Sequence, residues 1–160
     1  LTVQVANYNC PGQIVISGDA EAVDIASELL KEKGAKRVLP LKVSGPFHTS
    51  LMKPAGDLLA KRFEGVSFNE PKNKVIFNAT GKTMQEGETF EALLEKQVQS
   101  SVYFEDSIRY MMEQGVDTFV EIGPGKTLSG FVKKVDRGLT TYSVEDVDSL
   151  NAVIEALGCN

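Results

Sequence analysis

The chain carries only two cysteines, Cys10 and Cys159, at opposite ends and without a C-x-x-C spacing. That excludes a zinc ribbon and a disulfide framework, and it fits a reducing cytoplasm. No uncharged apolar run approaches the roughly 20 residues that cross a bilayer, and no basic-then-apolar leader is present, so no membrane partner is expected. Basic charge is not in excess. The 17 lysines and arginines stand against 22 acids, for a net charge of −5, which disfavours a grip on phosphate backbones and hence a nucleic acid partner. Glycine and proline, 14 and 6 residues of 160, are too few for collagen-like or low-complexity chain. There is no internal repeat. The first residue is Leu1, not methionine, and Leu1, Val3 and Val5 already alternate with polar neighbours as in a strand. An amino-terminal piece is therefore expected to precede this sequence.

What remains is ordinary globular composition, 42% hydrophobic and 24% charged, enough for one compact domain or two small ones. A first run ending at the turn-forming Asn7-Tyr8-Asn9-Cys10-Pro11-Gly12 and a second, Gln13 to Ser17, predict a hairpin. Asp19 is placed to cap a helix whose apolar positions Ala22, Val23, Ala26, Leu29 and Leu30 run to a stop at Gly34. Arg37 to Val43 predicts a strand. Residues 1–44 thus form strand, strand, helix, strand, most of a ferredoxin-like unit without its first strand and helix. From 45 to 160 the pattern is α/β with a parallel sheet. It comprises a helix with Pro54 in its first turn, a strand over 74–79, a helix capped by Thr89 and a helix from Phe104 to Gly115. A strand over Thr118–Ile122, a helix through Leu128, Phe131 and Val132, a strand over Thr140–Val144 and a helix started by Asp146 complete it.

The sole histidine, His48, lies in Ser44-Gly45-Pro46-Phe47-His48-Thr49-Ser50, between a strand pattern and a helix start. A neutral imidazole there could take a proton from a nucleophile and return it, although histidines in loops are more often incidental by residue type alone. No G-x-S-x-G nucleophile elbow occurs. Cys10 offers a thiol as the alternative nucleophile, although nothing local would lower its pKa. Gly123-Pro124-Gly125-Lys126-Thr127 follows a strand and opens a helix, but a phosphate-binding loop needs glycine where Val120 stands. Only the milder expectation survives, that backbone N–H groups at this helix start face whatever lies above the sheet. Asn78-Ala79-Thr80 matches the glycosylation sequon by chance, since no secretory feature accompanies it. No metal site is suggested. Two basic clusters, Lys31, Lys33, Lys36 and Arg37, then Lys126, Lys133, Lys134 and Arg137, either complement helix dipoles or form a docking surface for an acidic partner.

Three stretches carry a resemblance: Asn7-Tyr8-Asn9-Cys10-Pro11-Gly12-Gln13-Ile14-Val15-Ile16-Ser17-Gly18, Val43-Ser44-Gly45-Pro46-Phe47-His48, and Glu121-Ile122-Gly123-Pro124-Gly125-Lys126-Thr127-Leu128-Ser129-Gly130. In this order the chain resembles the acyltransferase family of fatty acid and polyketide synthesis, the malonyl-CoA:acyl carrier protein transacylases above all, over essentially its whole length. The resemblance implies a ping-pong transfer in which a serine takes malonyl from coenzyme A and passes it to the phosphopantetheine thiol of acyl carrier protein. It assigns the histidine that activates this serine to His48 and the main-chain carbonyl that orients the histidine to Gln97. Asn7 and Asn9 match asparagines lining the substrate cleft; hydrogen bonding in a hairpin turn is their alternative use. Phe47 matches an aromatic that crowds the acyl alpha carbon in favour of malonyl. Ser101 stands where the family often has proline. No bound cofactor is implied, coenzyme A entering as the thioester substrate.

The family's serine, its malonate-binding arginine and its oxyanion glutamine belong to regions outside these 160 residues. The chain is thus expected to be the carboxy-terminal portion, inactive alone, with the missing amino-terminal portion as partner. The alternative is a non-catalytic docking module for acyl carrier protein.

Overall fold

The computed structural model describes residues 1–158; Cys159 lies outside them. β1 (Val3–Cys10) and β2 (Gln13–Gly18) form the expected antiparallel hairpin. Its turn is confined to Pro11 and Gly12, where a φ of +77° suits a residue without Cβ. Asn7 and Asn9 accordingly belong to the strand and not to the turn. The register shifts between Val5 and Asn7 and again between Tyr8 and Cys10, so the strand is bulged twice. Ala6 and Cys10 are buried, and β1 is covered by the helices α4 (Phe104–Glu113) and α5 (Thr127–Val135).

α1 (Ala20–Glu32) follows directly. Asp19 sits at its N-cap position, but the carboxylate accepts from the Thr2 amide at 2.6 Å and makes no side-chain cap bond. The expected strand over Arg37–Val43 does not form. This segment is irregular, and the third strand of the sheet is instead β5 (Val102–Tyr103), which pairs parallel with β1 in the order β2-β1-β5. A strand requires a partner for its backbone groups, and the edge of β1 opposite β2 is taken by Val102 and Tyr103.

A 3₁₀ turn (Ser50–Met52) leads into α2 (Lys53–Phe63), with Pro54 in its first turn. The strand expected over 74–79 shrinks to β3 (Ile76–Phe77), paired with β4 (Lys82–Thr83). α3 (Phe90–Gln99) begins at Thr89, whose hydroxyl accepts from the Ala92 amide at 3.2 Å. α2 packs on α3 at the buried Gly56, where a Cβ would fall 2.8 Å from the Gln99 side-chain nitrogen. β6 (Thr118–Ile122) and β7 (Thr140–Val144) are parallel and in register over all five residues. α6 (Val147–Leu157) ends the described chain with a capping box between Asp146 and Ser149. The core gathers Ile108, Val132 and Leu139 with Phe104, Met111, Met112, Phe119 and Val135. Among the described residues the architecture is mixed α/β, three small sheets and six helices, and no helix is long and apolar enough to cross a membrane.

Candidate active site

His48 sits in the turn before the 3₁₀ segment with φ at +60°, the only described non-glycine residue with positive φ. A side chain in this region costs about 1–2 kcal/mol, so neighbouring contacts must hold it there. They are visible on both sides. Pro46 O accepts from the Thr49 hydroxyl at 2.6 Å, and Thr49 is 1% exposed. Ser50 donates its amide and its hydroxyl to Gln4 Oε1 at 2.7 and 3.0 Å.

The imidazole is half-buried, and Nδ1 lies 3.0 Å from the Gln97 carbonyl oxygen. A carbonyl can only accept, so Nδ1 carries the proton, and in the neutral ring Nε2 keeps a lone pair. Gln97 belongs to the last turn of α3, where carbonyls have no intrahelical partner and the helix dipole is negative. Nε2 itself has no hydrogen-bond partner among the described residues.

The structure therefore brings His48 and Gln97 together. Phe47 immediately precedes His48, exposed, with its ring folded onto Gly45, where a Cβ would lie 3.6 Å away. Asn7 and Asn9 are half-buried on β1, the strand whose Gln4 holds Ser50. Gln4, Thr49 and Ser50 are not among the site residues expected from the sequence. The hydroxyl pair after the histidine is the kind of signal that turn chemistry offers, whereas Gln4 gives none because its partner is remote in sequence.

Cys10 is a poor nucleophile. It is 2% exposed and its sulfur contacts Gln13 Oε1 at 3.9 Å. Desolvation pushes the thiol pKa up, and the pull of Lys134 does not cancel this. The basic clusters are partly engaged within the chain. Lys31 pairs with Glu28 at 2.7 Å, Lys134 donates to Gln13 at 3.2 Å, and Lys133 donates to the carbonyls of Arg137 and Leu139 at the end of α5.

The α5 amino terminus, expected to direct its N–H groups toward whatever lies above the sheet, instead spends two of them within the chain. Glu121 on β6 turns its carboxylate onto the amides of Leu128 and Ser129 at 3.1 and 2.7 Å, so these donors are taken by the chain itself. Burial pushes the Glu121 carboxyl up, but hydrogen bonds from the Ser129 hydroxyl and from the two amides outweigh it and leave the pKa below the ordinary value.

Comparison with known proteins finds relatives over nearly the whole of this chain. The malonyl CoA-acyl carrier protein transacylase of Bacillus subtilis (strain 168) is 50% identical over 155 residues, covering 97% of this chain and 49% of the relative. The crystal structure of the Clostridium perfringens Atcc 13124 malonyl CoA-acyl carrier protein transacylase superposes with a TM-score of 0.93 at 44% identity, over 98% of this chain and 49% of that one. A malonyl-transacylase solved in complex with its type II PKS acyl-carrier protein superposes at 0.92 with 41% identity, over 97% and 50%. The chain spans about half the length of these relatives. The sequence pattern of the acyl transferase domain matches residues 2–153, and the chain belongs to that family.

Proposed function

We propose that this chain is the carboxy-terminal part of a malonyl-CoA:acyl carrier protein transacylase and supplies its general base. The observation that carries the proposal is the bond between His48 Nδ1 and the Gln97 carbonyl, which leaves Nε2 free to accept a proton. In the complete enzyme, Nε2 takes the proton of a serine hydroxyl contributed by the amino-terminal portion as the oxygen attacks the malonyl thioester carbonyl. The tetrahedral adduct collapses, the C–S bond breaks, and the imidazolium returns its proton to the departing coenzyme A thiolate. The phosphopantetheine thiol of the carrier then gives its proton to Nε2 and attacks the malonyl-serine ester, and the serine leaves with that proton. The Gln97 carbonyl keeps Nδ1–H in place throughout and stabilises the imidazolium, as a carboxylate does in a triad.

Asn7 and Asn9 supply amides for the acyl thioester or pantetheine arm, and Phe47 narrows the space beside the acyl alpha carbon. The malonate-binding arginine and the oxyanion glutamine come from the amino-terminal portion. In this reading residues 1–44 belong to a small subdomain that keeps the hairpin and helix of a ferredoxin-like unit but not the strand expected over 37–43, residues 45–160 belong to the large subdomain, and the enzyme is cytoplasmic. The chain alone is inactive. Association with the remaining portion is supported by the two-stranded β6–β7 sheet, whose Ile122 is 81% exposed.

The test is His48→Ala in the full-length protein, assayed for malonyl transfer to carrier. A loss of roughly 10²- to 10⁴-fold in kcat is expected for removal of a general base. Transfer near the parent rate overturns the assignment.

A further inference from the structure

The two partners of the central hydrogen bond, His48 and Gln97, lie on separate segments, and each segment is tied to β1 at adjacent residues. On the histidine side, Ser50 gives both its amide and its hydroxyl to Gln4 Oε1. On the carbonyl side, the half-buried Ser101, four residues after Gln97, gives its hydroxyl to the Val5 carbonyl at 2.6 Å. β1 runs between them, and through β5 it also pairs with the residues just beyond Ser101. The turn that must be held is the one with His48 at positive φ, a conformation that relaxes unless its flanks are restrained.

We infer that Gln4 and Ser101 are positioning residues that hold the His48 ring on the Gln97 carbonyl by anchoring both segments to consecutive residues of β1. This rests on the proposed role of His48 only for its effect on rate; its effect on the ring does not. Both bonds into Gln4 end on Oε1, and both donors belong to Ser50. A carboxylate therefore serves as well as the amide, and a methyl group does not. In this chain the bond to the Val5 carbonyl needs a hydroxyl at position 101, so threonine substitutes for serine and alanine does not.

The experiment follows the imidazole by ¹⁵N–¹H NMR in the full-length protein, with the His48 signals assigned by their disappearance in His48→Gln. In the parent, the Nδ1–H form dominates and its proton exchanges slowly. Gln4→Leu combined with Ser101→Ala should shift the ring toward a mixture of tautomers with fast Nδ1–H exchange, while Gln4→Glu and Ser101→Thr restore the parent spectrum. Transfer kinetics should show roughly a tenfold fall in kcat for Gln4→Leu/Ser101→Ala with KM unchanged, rescued by the same conservative changes. An unaltered ring spectrum in the folded Gln4→Leu/Ser101→Ala variant overturns the inference. An altered spectrum with unaltered transfer supports the positioning role and overturns the assignment of His48 as base.

Discussion

Residues 37–43 and 118–122 are both short runs of branched and aliphatic residues, yet they end in different physical states. The first, with Val38, Leu39, Leu41 and Val43, has no ladder, and its Leu39, Leu41 and Val43 are 64%, 60% and 65% exposed. The second is β6, paired in register from Thr118↔Thr140 to Ile122↔Val144 and underlain by the core through Phe119. The β6 run is backed by two helices, α4 and α5, whose buried faces converge on Ile108 and Val132, and by a following run that returns alongside it. The 37–43 run has only the polar end of α1 before it and the His48 turn after it. Side-chain pattern makes a strand possible; a neighbouring backbone and a covering layer make it stable.

The contrast can be broken most strongly from below. Ile108→Ala removes the most buried aliphatic side chain beneath β6 and should lower stability by about 2–5 kcal/mol, read as a fall in the denaturation midpoint. A loss below 1 kcal/mol would mean that β6 does not depend on this core. A smaller effect should come from Glu121, which ties β6 to the start of α5. Its folded pKa lies below the ordinary 4.5, so between the two values the unfolded state binds more protons than the folded one. The contribution is therefore complete above about pH 4.5 and is lost as pH falls through the lower folded value. Glu121→Gln should lower the thermal midpoint at neutral pH slightly and flatten its decline on acidification; an unchanged acid limb would remove Glu121 from the account. The smallest effect belongs to the unpaired run. Leu41→Asp in this chain should change stability by no more than about 0.5 kcal/mol, and a loss comparable with that of Ile108→Ala would show that 37–43 is packed after all.

Legibility in the sequence follows the same division. Thr118–Ile122 and Thr140–Val144 were bounded correctly because β-branched runs ended at glycine or acidic caps, and Asp146 and Thr89 announced their helices through local chemistry. Asp19 marked the start of its helix but not its own bond, because a carboxylate at an N-cap position can serve a different amide, here that of Thr2, seventeen residues away. β5 was invisible, since two residues carry no periodicity. Of the site, His48 was legible as the one histidine in a Gly-Pro turn, and Gln97 only through family resemblance, for nothing about a helical glutamine signals the use of its carbonyl.

The sequence by itself determined the helices, the hairpin, the β6–β7 pair and the histidine's place in a turn, because caps, glycines and apolar spacing act over a few residues. Tertiary structure alone decided that β1 pairs with Val102 and Tyr103, that Glu121 occupies the α5 amides, and that the His48 ring meets the carbonyl of Gln97. These are hydrogen bonds between groups remote along the chain. Which donor finds which acceptor is settled by how the helices and strands pack, and no local pattern of residues records it.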